Sequence, residues 1–86
     1  MTRSRIEINP DTYTQINTDD TVYMIQNLSS FQIGVIIAAV GDTPLNTENP
    51  THYWGEREGC SNNTTVGIVW AKSRTGENGV VGLTEG

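Results

Sequence analysis

The sequence predicts an all-β fold, a small antiparallel β-sandwich or jelly-roll-like barrel of six to seven short strands with an N-terminal arm. Three observations point there. Short runs rich in Val, Ile, Thr and Tyr recur along the chain, each bounded by clusters of Gly, Pro, Asn, Asp or Ser. No segment holds the spacing of an amphipathic helix. Hydrophobic residues make up 35% and charged residues 17%, so Thr, Asn and Gly dominate the remainder, which is turn chemistry rather than the high charge of a disordered chain.

The 86 residues allow one domain with a modest core. Residues 1–12 read as an arm, and 13–86 as the β-domain. Arg3 and Arg5 open the arm, Ile6 and Ile8 alternate with polar residues as a short strand would, and Asn9-Pro10-Asp11 closes it with a turn. Tyr13 to Asn17 is a weak strand, broken at Thr18-Asp19-Asp20. Thr21 to Leu28 is a stronger one, dense in β-formers, and a hairpin across Asp19-Asp20 is the natural local pairing.

Phe31 to Val40 is the most apolar stretch. As a strand it carries Ile33, Val35, Ile37 and Ala39 on one face and Gly34, Ile36, Ala38 and Val40 on the other. The β-branched residues and Gly34 favour a strand over a buried helix. Both faces then need covering. One packs on the core, and the other is covered either within the monomer or by a partner subunit, because an exposed apolar sheet face aggregates.

From Gly41 to Thr65 the chain reads as loop, with turn signals at Gly41-Asp42-Thr43-Pro44 and Asn49-Pro50 and one short edge strand at Thr51 to Gly55. Val66, Ile68 and Trp70 then share a strand face that places Trp70 in the core. The chain turns back across Arg74 to Gly79 and returns through Val80 to Glu85, so that a hairpin closes the domain.

The net charge of −5 argues against nucleic acid or an anionic membrane as partner, since neutralising phosphates takes clustered Lys and Arg. The exception is the pair Arg3 and Arg5, suited to dock on an acidic neighbour. Cys60 is the single cysteine, so no intrachain disulfide framework exists, and a small domain without such staples commonly gains stability by assembly. No apolar run approaches the roughly 20 residues of a membrane helix, and no secretion signal opens the chain, so a soluble protein made in a reducing cytoplasm is expected.

Candidate chemistry is sparse. His52 and Cys60 with Glu56 or Glu58 fit no zinc spacing, and Asp19, Asp20 and Asp42 lack the rhythm of a calcium loop. A single His without an orienting partner gives no nucleophilic triad, and Arg57 stands between Glu56 and Glu58 to neutralise them. We therefore expect no catalytic residues, no metal and no cofactor. Adjacent residues in an extended strand face opposite sides, so one of Tyr53 and Trp54 is exposed, as an interface anchor, a sugar platform or the roof of the core.

The strand ends carry a resemblance. Ile25-Gln26-Asn27-Leu28-Ser29 gives "I-Q-N-x-S", Gly41-Asp42-Thr43-Pro44 gives "G-x-x-P", and Val69 to Ser73, Gly76 and Val81 to Glu85 give "V-x-A-[KR]-S…G…V-x-x-T-E". In these the chain, from about Tyr13 to Glu85, resembles the small all-β structural proteins of tailed bacteriophages. His52 to Thr64 departs from that pattern. The resemblance implies a non-catalytic virion component present in many copies, assembled in the host cytoplasm and bound to the major capsid protein or a tail component. The expectation is thus a capsid decoration or cement protein that forms a homo-oligomer, with Arg3, Arg5, Ile33, Val35, Ile36, Ile37, Tyr53 and Trp54 in core and interface. The alternative is a tail or tail-fibre module that binds a host receptor or glycan.

Overall fold

The computed structural model describes residues 2–18, 23–61 and 67–85. They form β1 (Thr2–Ile8), β2 (Thr14–Gln15), β3 (Tyr23–Asn27), β4 (Ile33–Ala38), β5 (His52–Trp54), β6 (Gly59–Ser61), β7 (Ile68–Ser73) and β8 (Gly79–Glu85). All pairings are antiparallel, in a first sheet ordered β1-β8-β3-β6 and a second ordered β2-β7-β4-β5. The all-β sandwich expected from the sequence is what the chain adopts.

The pairing is nested. β4 pairs β5, β3 pairs β6, β2 pairs β7 and β1 pairs β8. The chain is in effect one long hairpin bent back between β4 and β5, then rolled until β8 also meets β3 and β7 also meets β4. This is the strand order of a jelly roll, in which every connection but β4–β5 crosses from one sheet to the other.

That topology corrects two local expectations. β2 and β3 do not form a hairpin, and neither do β7 and β8, because each pair is split between the sheets. Turn residues mark where a chain reverses, not which sheet the next strand joins. β7 ends instead against the β1–β2 connection, with the Ser73 amide donating to the Asn9 carbonyl at 3.0 Å. β6 lies where only loop is expected. Residues 2–8, read as an arm, are an edge strand paired along their whole length with β8. The turn at Asp19-Asp20, with Thr21 and Val22, and the polar stretch 62–66 lie outside the described residues.

Alternation sorts each strand. Tyr23, Ile25 and Asn27 of β3 and Val81 and Leu83 of β8 face inward, with Ile8 of β1. They meet Ile33 and Val35 of β4, Val69 and Ala71 of β7, Ile16 and Trp54 in one core. Two buried asparagines bond backbone groups beyond the strand ladders. Asn17 extends the short β2 ladder, its Oδ1 accepting from the Val69 amide at 2.7 Å and its Nδ2 donating to the Gly67 carbonyl at 3.1 Å. Asn27 spans the sheets: the two hydrogens of Nδ2 serve three carbonyls, those of Phe31, Trp54 and Gly55 at 2.9, 3.1 and 3.0 Å, one hydrogen being shared, and Oδ1 accepts from the Ser29 amide at 2.9 Å. Ser29 in turn clips to β8, its Oγ accepting from the Val80 amide at 2.8 Å. The "I-Q-N-x-S" strand end therefore holds the fold together.

Phe31 to Val40 is extended over Ile33–Ala38, and the chain itself buries both its faces. The inner face fills the core. On the outer face, Ile36 is 7% exposed although it lies outside the inter-sheet cluster. The cover that the hydrogen bonds identify is the β4–β5 loop. Its Asn46 Oδ1 accepts from the Tyr13 amide at 3.1 Å and its Asn46 carbonyl from Lys72 Nζ at 2.8 Å. Tyr13 Oη donates to the Glu48 carbonyl at 2.7 Å, and Pro44 is buried. The Pro50 ring sits where a side chain on Gly34 would stand, so only glycine admits the loop there. β4 thus has no need of a partner subunit. Trp70 is corrected as well: it lies half-buried opposite Ile36 on this outer face, outside the inter-sheet core.

Candidate functional site

The two outer faces differ. The second sheet is roofed by its own loop, whereas no described residue roofs the first sheet between β1, β8 and β3. Three cross-strand rows line it. Arg3 and Met24 flank Thr84, Arg5 and Gln26 flank Gly82, and Glu7 sits opposite Val80, whose carbonyl accepts from the Leu28 amide at 3.0 Å. The first two rows, with Leu28, form a groove of about 480 Å³. Gly82 forms its floor, because a Cβ there would stand 2.9 Å from Leu28 Cδ1. Met24 is 60% exposed and Leu28 39%, an apolar pair left open to solvent.

A shallower depression of about 310 Å³ continues across β3 and β6, sharing Met24 and Gln26 and adding Arg57. Arg57 has φ of 67°, the left-handed region that costs an L-residue about 1–2 kcal/mol. Its backbone is fixed from both sides: the amide donates to the Asn27 carbonyl at 2.9 Å, and Gln26 Nε2 donates to the Arg57 carbonyl at 2.9 Å. Glu58 closes the turn, its Oε1 accepting from the Gly55 amide at 2.6 Å.

The charge distribution separates this face from the rest. The chain has five cationic side chains, Arg3, Arg5, Arg57, Lys72 and Arg74. Lys72 is engaged by the Asn46 carbonyl and lies 4.7 Å from the Tyr13 ring centroid, and Arg74 lies 4.4 Å over the Tyr53 ring. Among the described residues, the guanidinium groups of Arg3, Arg5 and Arg57 make neither a hydrogen bond nor an ion pair. Two unengaged cations, Arg3 and Arg5, therefore line the groove, and a third, Arg57, lines its shallower continuation, on a protein of net charge −5.

Of the residues singled out from sequence, Arg3 and Arg5 stand at this groove. Ile33 and Val35 are core, Ile36 is covered by the β4–β5 loop, and Ile37 is half-buried against the core. Tyr53 is exposed and Trp54 is 7% exposed, as the strand alternation requires. Met24, Gln26, Leu28 and Arg57 are the groove residues that sequence reasoning passed over. The first three were readable from the alternation in Tyr23 to Leu28, whereas Arg57 depends on β6 and gives no local signal. Among the described residues, no three His, Cys, Asp or Glu side chains are grouped to hold a metal ion.

No protein-family model, curated protein or solved structure matches this chain.

Proposed function

We propose that the chain is a non-catalytic structural protein of a virion, a capsid decoration or cement protein that self-associates and stabilises a larger shell. The observation that carries this is the groove on the first sheet. Unengaged arginines beside exposed Met24 and Leu28 form a surface for another protein, since arginine and methionine are enriched where proteins meet and an apolar patch on a small soluble domain marks a contact. The jelly roll supports the same reading by analogy of fold alone, because this architecture recurs in viral capsid and lectin domains. The resemblance of the strand ends to tailed-phage structural proteins supports it independently.

The partners are then the major capsid protein or a tail component together with further copies of the chain, and the site of action is the virion, assembled in the host cytoplasm. Each contact is small, and many copies sum to shell stability by mass action. A tail or fibre module that binds a receptor or glycan draws less support. Such a site uses open aromatic rings, whereas Trp54 is buried and the Tyr53 ring has Arg74 stacked over it.

The test is occupancy on purified virus particles. The protein should co-purify with the major capsid protein, and Arg3→Glu with Arg5→Glu should lower its copy number, with the larger loss at low salt. Absence from particles, or unchanged occupancy of the double variant, refutes the proposal.

A further inference from the structure

We propose that the groove on the first sheet receives the β4–β5 loop of a second copy, so that copies join head to tail. This rests on the chain working by assembly and names the partner of its open face. The exposed large hydrophobics of the described residues fall mainly into two pairs, each on one side of the sandwich. One is Met24 and Leu28 in the groove. The other is Val40 and Leu45, 61% and 66% exposed, on the β4–β5 loop.

The patches are complementary in sign. Between Ala39 and Pro50 the loop carries Asp42 and Glu48 and neither Lys nor Arg, and the one cation bonded to it among the described residues is Lys72, held at the Asn46 carbonyl. The groove and its continuation carry Arg3, Arg5 and Arg57. The one carboxylate on the same face of β1, Glu7, lies at the β8 end of the row nearest Asn78, whose Nδ2 is 3.5 Å from its Oε1. The Asp42 carboxylate is unpaired among the described residues. An apolar and acidic projection thus has an apolar and basic receptor on the same molecule.

The loop is also pre-shaped. Two turns, Asp42 amide to Ala39 carbonyl and Glu48 amide to Leu45 carbonyl, each at 3.0 Å, set its path, and Asn46, Glu48 and Pro50 hold it to the second sheet. Little ordering entropy is then lost on binding. Because loop and groove lie on opposite sheets, one copy cannot satisfy its own groove. A two-fold dimer across the groove would set arginine against arginine. The contact is therefore heterologous, and repeating it gives a ring or a row of copies.

Chain mixing tests this. Sedimentation of the wild-type protein from micromolar to near-millimolar concentration should show assembly that salt weakens. A groove variant, Arg3→Glu with Arg5→Glu, and a loop variant, Asp42→Asn with Leu45→Ala, which gains no charge to pair with the reversed groove, should each self-associate at least tenfold more weakly. Mixed together, they should form a one-to-one heterodimer and nothing larger, since only one intact groove and one intact loop remain. All four positions are exposed, and far-UV circular dichroism verifies folding; Arg3→Gln with Arg5→Gln replaces the reversal if it does not fold. A wild type that stays monomeric, or a mixture without the heterodimer, overturns the contact. Assembly in solution by a chain absent from particles would instead overturn the virion role and leave this contact standing.

Discussion

Replacing Asn27 by Ala should remove most of the stability of the domain. The side chain is fully buried and satisfies the carbonyls of Phe31, Trp54 and Gly55 and the amide of Ser29. Two of these bonds are wholly buried, those to Trp54 and Ser29. Leaving a buried polar group unpaired costs roughly 1–3 kcal/mol for each of these two, and the two half-buried bonds add about 0.5 kcal/mol each, for a total of about 3–7 kcal/mol. A chain of this length has about 4–13 kcal/mol in all. With a slope near 1 kcal/mol per M urea, the midpoint should fall by about 3 M or more. Urea titration followed by tryptophan fluorescence reads this directly, since Trp54 lies at the bond being cut. Asn27→Asp sharpens the case. It keeps the acceptor for Ser29 but turns a carboxylate toward three carbonyl oxygens, so its folded-state pKa rises above the unfolded value. The folded state then binds more protons, and the variant should be more stable near pH 4 than at pH 7 relative to wild type. A midpoint shift under about 0.5 M for Asn27→Ala, with an unchanged slope, would refute the structural role assigned to this residue.

Three other outcomes follow from single sites. Arg57→Gly should raise stability by about 0.5–1 kcal/mol in urea titration, since it relieves the left-handed backbone at a modest entropic cost. Gly82→Ala should fold normally, because its new methyl meets only the movable tip of Leu28, yet sedimentation should show weaker self-association as the groove floor rises. The Tyr13 phenol titrates above its ordinary value of 10.0, raised first by burial and then by Glu48 and Tyr53. Its contribution is complete below about pH 10 and lost as pH climbs through the folded-state pKa. Urea midpoints measured from pH 9 upward should fall more steeply for wild type than for Tyr13→Phe.

Much of the fold is legible residue by residue. Alternation in Tyr23 to Leu28 gives both the inward Tyr23 and Ile25 and the outward Met24 and Leu28, because a half-buried strand writes its period into the chain. The double burial of β4 is legible too, since Ile33, Ile36 and their neighbours leave no polar side. What covers that second face is not. Asn46 and Pro50 read as ordinary loop residues, and their roof over Gly34 exists only once the chain has rolled up. Strand partners are hidden for the same reason. The sequence around Arg74 to Gly79 shows a reversal, but β8 joins β1 and β3 through contacts with the opposite end of the chain. Arg3 and Arg5 are visible as a basic pair, while their convergence with Arg57 depends on β6 docking beside β3.

The nested strand order sets a condition on synthesis. β8 is the middle support of the first sheet, held between β1 and β3, and among the described residues β1 pairs with no other strand. As the chain is made, β1 emerges before β8 and waits with its backbone groups unmatched until β8 leaves the ribosome. Native structure must therefore arrive late and all at once. A premature stop before Gly79 would release a polypeptide with an unclosed sheet, prone to aggregate with others like it rather than to fold in part.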